Sequence, residues 1–289
     1  MSRKVAIILT TFNPDLQELE SNIRSYVDQV DLIILTDNSD KPSFQQQVVR
    51  LSKKFPNLFL NQLFDNVGIA KAQNLGVQIA KDEGYDFVVE MDQDSKLQPG
   101  FVASLLERFD SLDVGRGVVG GIGPLAIKKG TDQVYHNHGS SSGAIEVEYT
   151  LSSGFLTPLS AVERVGYKNE DLFIDFVDWE WCWRSRALGL GVYVDTQTAI
   201  SHMLGDGHKK FLGLSIGVPS PIRHYYQYRN FIYLVKKSYV PAWWKLKYAV
   251  IMIVKIPIFL ISFDRKASRL NFVFRGIKDG LLGRLGKIR

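Results

Sequence analysis

The sequence predicts an α/β fold: a mostly parallel sheet with flanking helices, followed by a C-terminal amphipathic helical segment. Three observations point there. Short apolar runs alternate with helix-length amphipathic stretches over the first two-thirds of the 289 residues, the signature of strand–helix–strand units. Several of those apolar runs end in Thr/Asn/Asp-rich loops, where ligands gather in parallel sheets. Hydrophobic residues make up 45% of the chain, enough for a core buried on both faces of a sheet, which excludes disordered and low-complexity classes.

The elements follow in order. Lys4–Leu9 is a short apolar run closed by Thr10-Thr11-Phe12-Asn13-Pro14, a buried strand. Asp15–Val27 places Leu16, Leu19, Ile23 and Val27 at helical spacing. Asp31–Thr36 is a second strand closed by Asp37-Asn38-Ser39-Asp40, and Phe44–Phe55 a helix. Leu58–Leu63 is a third strand, Ile69–Glu83 a helix ended by Gly84, and Phe87–Met91 a fourth strand ended by Asp92-Gln93-Asp94. A helix runs from Pro99-Gly100 to Phe109. From Gly115 to Gly166 the periodicity breaks down among glycines and serines, leaving only short strands such as Gly117–Val119. A helix over Asp178–Leu188, a strand over Gly191–Val194, a Gly/Pro-rich loop and a helix over Ile222–Ser238 complete the pattern.

Charge divides the chain. From Lys236 onward there are thirteen Lys/Arg against two acidic residues, whereas the first 235 residues hold 22 basic and 28 acidic side chains. A basic segment confined to one end suits an anionic surface. The single cysteine, Cys182, excludes an intramolecular disulfide framework and reads as buried packing. The apolar run Val5–Leu9 is too short for a signal peptide, so a cytoplasmic location is expected.

Several clusters carry chemistry. Asp92 and Asp94 at a strand end can share a hard divalent cation, Mg²⁺ or Mn²⁺, that bridges to a diphosphate. Asp37 at another strand end can accept a hydrogen bond from a base imide, although Asp-Asn-Ser is also an ordinary turn. Asn66 or Gly68 can open a helix whose free N–H groups face an anion or a sugar, with Asn74 further along. Asp175, Asp178 and Glu180 lie among Trp179, Trp181 and Trp183. An aspartate in aromatic walls can have its pKa raised towards that of a general base, and three Trp at alternate positions cannot all face one core. His202 can complete a metal site or touch a diphosphate; His136-Asn137-His138 reads as loop. Gly121-Ile122-Gly123-Pro124-Leu125-Ala126 fits a dinucleotide fingerprint, but Pro124 and the residues after it open no helix and the stretch does not follow the first strand, so it is rejected.

In order, Thr10-Thr11-Phe12-Asn13-Pro14, Asp37-Asn38-Ser39, residues 65–76, Met91-Asp92-Gln93-Asp94, Ser153-Gly154-Phe155-Leu156, residues 175–184 and the His202 region resemble the inverting family 2 glycosyltransferases of the GT-A fold, over residues 3–235. Within them the chain looks most like bacterial rhamnosyltransferases that use dTDP-L-rhamnose to build O-antigen-like polysaccharide, with residues 224–230 among the matching features. The resemblance implies a Rossmann-like GT-A sheet. It implies that Thr10, Phe12 and Asp37 line the base pocket, that Asn66 and Lys71 lie near the nucleotide-sugar, and that Asp92 contacts ribose or the metal shell. Asp94 would ligate the metal, Asp178 would be the catalytic base, Arg184 would pair within the site, and His202 would lie by the diphosphate or metal. Trp179 could stack on a sugar, and Asp175 and Glu180 remain rivals for the base. The usual Glu-Asp before the helix is Val177-Asp178 here.

The implied organisation is a catalytic domain over 1–235, with a nucleotide-sugar half (1–95) and an acceptor half (96–235), and a basic amphipathic tail over 236–289. The tail holds Trp243-Trp244 and an apolar stretch, Tyr248–Phe263, too short to span a bilayer. It reads as an interfacial helix whose Arg265, Lys266, Arg269, Arg275, Lys278, Arg284, Lys287 and Arg289 extend a cationic surface; packing on the domain or a homodimer contact is the alternative. The expected setting is the inner face of a bacterial membrane, with a lipid-linked glycan acceptor. The carboxylates speak against a non-catalytic binding module. Thr10–Pro14 replaces the glycine-rich loop of a nucleotidyltransferase, the tail is too apolar for a nucleic-acid arm, and a processive synthase would show membrane spans.

Overall fold

The computed structural model describes residues 3–113, 118–128, 143–202, 208–211, 214–217 and 219–289, without the side chains of 128, 202, 208–211 and 214–217. His136, Asn137, His138 and Asp206 lie outside these residues.

The first half alternates as expected: β1 (Val5–Thr11), α1 (Leu16–Tyr26), β2 (Leu32–Asp37), α2 (Pro42–Ser52), β3 (Leu58–Gln62), α3 (Ile69–Asp82), β4 (Phe87–Asp92) and α4 (Phe101–Asp113). Asp15 caps α1, its carboxylate accepting from the N–H groups of Gln17 and Glu18. The first strand shows why it reads as continuously apolar. Val5, Ile7 and Leu9 enter one core with Leu19, Ile23 and Phe101, while Ala6 and Ile8 enter a second core with Val77, Val162 and Trp181. Both faces are covered, so period-two alternation finds an apolar partner on each side.

The second half is β5 (Val119–Lys128), β6 (Ala144–Val147), β7 (Phe155–Pro158), α5 (Leu159–Val165), a 3-10 turn at Glu170–Leu172, α6 (Val177–Ala187), β8 (Gly191–His202), β9 (His208–Phe211), β10 (Leu214–Gly217), α7 (Pro221–Val235), α8 (Ala242–Ser262) and α9 (Lys266–Leu281). The eight-stranded sheet has the order β3-β2-β1-β4-β7-β5-β8-β6. β1 pairs in parallel with β2 and β4, whereas β7 runs antiparallel to β4 and β5 and β6 antiparallel to β8. The sheet is therefore mostly parallel, as expected, with antiparallel pairings at β7 and β6.

The stretch whose periodicity failed contains the ten-residue strand β5. Its glycines are there for close approach: a Cβ on Gly121 would meet the Phe155 ring of β7 at 2.4 Å. The same residues make up the rejected dinucleotide fingerprint, which is strand.

The C-terminal helices are part of the packed protein. Tyr228 of α7 gathers with Met252, Phe259 and Phe263 of the α8 region and Val273 of α9. Trp183 of α6 packs against Leu234, Val240 and Trp244. The boundary at 235 thus falls inside one helical unit. Trp244 is fully buried, stacked on Tyr248 at 4.5 Å, so of the Trp pair only Trp243 reaches the surface. Arg269 is also buried, bonded to Asp264, the Pro219 carbonyl and His224, and leaves the expected cationic surface. Burial and Arg269 push the His224 pKa down to about 3, so this imidazole is neutral. Among the described residues no helix is long and apolar enough to cross a membrane.

Candidate active site

The carboxyl ends of β2, β1 and β4 stand side by side. Thr10 is in register with Asp92 and Thr11 with Asp37. Asp37 is wholly buried. One carboxylate oxygen accepts from the Thr11 hydroxyl at 3.1 Å and the Ser39 N–H at 3.2 Å, and the other has no partner among the described residues. Gln93 ties the strand ends together: its side chain accepts from the Phe12 N–H at 2.7 Å, and its carbonyl accepts from Asn22 at 2.9 Å. Phe12 is left partly exposed at this edge. Asp92 and Asp94 are half-buried on the same turn, and Asp94 has no hydrogen-bond or ion-pair partner among the described residues.

No group of three His, Cys, Asp or Glu side chains that could hold a metal occurs among the described residues. Asp94 and Asp92 offer two hard oxygen donors at one strand end. That set suits a Mg²⁺ or Mn²⁺ ion whose remaining positions are filled by diphosphate and water. His202 ends β8; its side chain lies outside the description.

The 65–76 motif organises loops. Asn66 accepts from Asn38 at 3.0 Å and from the Gly68 N–H at 3.0 Å. Gly68 adopts φ +91°, and a Cβ there would meet Phe173 at 2.6 Å; the Ile69 N–H donates to the Phe173 carbonyl at 2.8 Å. The close approach expected of a ligand at this helix start is made by the protein's own Phe173 loop. Asn74 likewise bonds Lys168 and Glu170, and Lys71 is exposed on α3.

That Phe173 loop delivers the acidic cluster. Phe173, Asp175 and Phe176 all have φ between 64° and 67°, a conformation costing on the order of 1–3 kcal/mol at each non-glycine residue. Two fully buried residues of α7 offset it. Asn230 Nδ2 lies within 3.0 Å of the carbonyl oxygens of Leu172, Ile174 and Asp175. Arg229 donates to the carbonyls of Asp171 and Leu172 at 2.9 and 2.8 Å and to that of Gly286 near the C-terminus. These anchors lie more than fifty residues from the loop, so no local pattern announces them; only the 224–230 motif hinted at them. Asn230→Ala is expected to lower turnover roughly 10- to 100-fold by misplacing the loop, with donor KM little changed. Steady-state kinetics showing an unchanged kcat would refute this anchoring role.

The three acidic rivals separate by their partners. Asp175 is held by Arg223, Nη2 to Oδ1 at 2.5 Å. Glu180 is fully buried and accepts from Arg184 at 2.8 Å and the Tyr239 hydroxyl at 2.7 Å. Arg184 also donates to the Val165 and Tyr167 carbonyls, stapling α6 to the α5 end. Glu180 and Arg184 thus pair with each other inside the protein, leaving Glu180 Oε2 buried without a hydrogen-bond partner among the described residues. Asp178 is not the N-cap of α6; Phe176 holds that place. Its carboxylate accepts from the Trp179 N–H at 3.0 Å. Burial first, and then the nearby charge of Asp92, push its pKa up to about 6, against the pull of Lys168.

Asp178 lines a small cavity of about 20 Å³ with Glu90, Thr150, Ser152, Lys168 and Cys182, room for about one water. Burial pushes the Cys182 thiol up to about 12, so it is not a thiolate. The tryptophans divide as their spacing requires. Trp181 joins the sheet-side core, while Trp179 and Trp183 join an aromatic cluster with Tyr149, Trp244 and Tyr248. Trp179, half-buried, is the tryptophan beside Asp178.

A carboxylate poised near pH 6 across from a paired-aspartate strand end is an arrangement for removing a proton from a hydroxyl beside a diphosphate. The sequence profile described as Glycosyl transferase family 2 matches residues 6–151. The chain belongs to this family. This glycosyltransferase is 26% identical to dTDP-rhamnosyl transferase RfbF of Shigella flexneri over 299 residues, covering 99% of this chain and 98% of that protein. Solved structures share its GT-A fold. GalNAc-T7 with UDP, GalNAc and Mn²⁺ superposes with a TM-score of 0.63 at 14% identity, covering 94% of this chain and 55% of that one. S. aureus TarS gives 0.58 at 16% identity, covering 91% of this chain and 44% of that chain. The family 2 enzyme therefore places Asp178, Asp92 and Asp94 on a scaffold shared with nucleotide-sugar transferases.

Proposed function

We propose that this family 2 enzyme transfers L-rhamnose from dTDP-β-L-rhamnose to a hydroxyl of a glycan acceptor in cell-surface polysaccharide synthesis. The observation that carries the donor assignment is the end-to-end similarity to a dTDP-rhamnosyl transferase. Thr10, Phe12 and Asp37 form the base pocket, with the unpartnered oxygen of Asp37 available to an imide N–H. Asn66 and Lys71 border the donor, and Asp92 meets ribose or the metal shell. Asp94, with Asp92 and His202, would hold Mg²⁺ or Mn²⁺, which would supply charge neutralisation at the diphosphate.

The reaction is a single displacement. Asp178 takes the proton of the acceptor hydroxyl. The acceptor oxygen forms its bond to the anomeric carbon as the bond to the diphosphate oxygen breaks, so a β-linked donor yields an α-linked product and dTDP. Trp179, beside the base, stacks on the acceptor sugar. The acceptor is lipid-linked, and the enzyme sits on the cytoplasmic face of a membrane. An exposed row on α8, Leu246, Val250, Ile253, Val254 and Ile261, supports that siting.

A donor panel tests the reading: dTDP-L-rhamnose, UDP-glucose, UDP-galactose and UDP-GlcNAc, each with Mg²⁺ or Mn²⁺, followed by thermal shift and release of nucleoside diphosphate. Stabilisation by dTDP-rhamnose alone, and loss of turnover in excess EDTA, is the expected result. Response to a UDP-sugar instead overturns the donor, and undiminished turnover in EDTA overturns the metal.

A further inference from the structure

An open recess of about 580 Å³ lies between α9, Tyr225 of α7 and the C-terminal segment. Arg275, Lys278, Arg284, Lys287 and Arg289 line it, with Asp279 as the one carboxylate of the lining. Three of the five cations already have a partner. Asp279 accepts from the Tyr225 hydroxyl at 2.9 Å and lies 3.7 Å from Arg284, a long, exposed pair. Lys287 is drawn to Asp65 of the donor-side loop at 2.7 Å, and Arg275 donates to the Arg289 backbone carbonyl at 2.6 Å. Lys278 and the Arg289 side chain have no carboxylate partner among the described residues.

The rim of this recess is apolar and exposed. Phe274, Leu281 and Leu282 are 66%, 65% and 57% exposed. Spacings of four and seven residues put Phe274, Lys278 and Leu281 on one face of α9, with Leu282 next to Arg275 around the helix. A soluble anion site has no use for three bare apolar side chains, and a simple apolar contact has none for five cations. Together they match an amphiphile: phosphate in the recess, hydrocarbon along the rim. The recess also reaches the donor half, because Lys287 joins the Asp65 loop and the Ile288 N–H donates to Tyr226, whose ring stacks on Phe173.

We propose that this recess binds a phosphate group carried on a lipid, and so holds a membrane-borne phosphate next to the catalytic domain. The proposal rests on the membrane siting above. The test uses the full chain and two charge-matched variants: Lys278→Gln/Arg284→Gln/Arg289→Gln in the recess, and Lys41→Gln/Arg50→Gln/Lys53→Gln around α2. Cosedimentation is measured with phosphatidylcholine vesicles alone, with added phosphatidylglycerol, and with added polyprenyl diphosphate; free pyrophosphate is tested by thermal shift. Binding to a phosphate-bearing vesicle that falls about tenfold or more in the recess variant, and little in the α2 variant, is the expected outcome, since each cation near anionic lipid is worth about 1 kcal/mol. The vesicle arms tell a headgroup from a lipid-linked diphosphate.

Equal losses in both variants would show diffuse attraction and overturn the site. So would a wild-type chain that ignores every phosphate-bearing vesicle, or one that prefers a single-stranded oligonucleotide. Hydrolysis of dTDP-rhamnose in the same variants keeps the two readings apart. If the wild type hydrolyses none while the recess variant still loses vesicles, the donor assignment fails and the recess stands.

Discussion

Asp178→Asn is expected to lower transfer by about 10²- to 10⁴-fold while dTDP-rhamnose still binds, because the amide keeps the shape of the side chain and cannot take a proton. Asp175 and Glu180 cannot substitute, since Arg223 holds the first and Arg184 with Tyr239 the second. The pH–rate profile of the wild type should fall on its acid side below about pH 6, where the Asp178 carboxylate becomes protonated. Stability carries the opposite sign. The folded pKa lies above the ordinary value of 3.8, so stability fully present below that value is lost as pH rises through about 6. In the absence of substrates Asp178→Asn should therefore be more stable than wild type at pH 8, by on the order of 1–2 kcal/mol for this half-buried group. Full transfer activity in the Asn variant, measured as released dTDP, would end the assignment of the base.

Lys168→Met should be the most damaging single change near the site. The Lys168 ammonium lies 2.5 Å from Glu90 and 2.9 Å from the Gln73 side chain, and both ions of the pair are less than 9% exposed. Removing the cation strands a buried carboxylate beside Asp178, a loss of about 3–5 kcal/mol readable by denaturant unfolding. It also removes the charge that holds the Asp178 pKa down, so the acid limb of the rate profile should move above pH 6. The double variant Lys168→Met/Glu90→Leu separates the two effects. Replacing both ions by apolar groups should recover most of the stability yet leave the rate profile displaced. If the limb does not move in either variant, Lys168 serves the fold and not the base.

The parallel half of the sheet was legible because each of its strands carries its own evidence. Val5–Thr11 and Phe87–Asp92 are buried on both faces, so their composition alone marks them, and the polar residues that end them stand at the carboxyl edge of the sheet. β5 and β7 escaped because their pairing depends on what is missing: Gly121 leaves room for the Phe155 ring, and a glycine in a strand looks locally like a loop. Within the tail, long-range packing decides which residues reach the surface. Trp244 and Arg269 have the composition of an interface, but Trp183 and His224 from earlier helices bury them.

Sequence by itself determined the family-like order of motifs, the strand-end carboxylates Asp92 and Asp94, and the list of candidate bases Asp175, Asp178 and Glu180. Which member of that list is free was decided only by tertiary structure. Arg223, which pairs with Asp175, and Tyr239, which bonds Glu180 beside that residue's own-helix partner Arg184, lie 48 and 59 residues away in the chain, and those that hold the strained loop lie 55–58 residues away. A carboxylate's proton affinity follows from which charges and how much protein surround it. That quantity belongs to the folded arrangement and to no local stretch of residues.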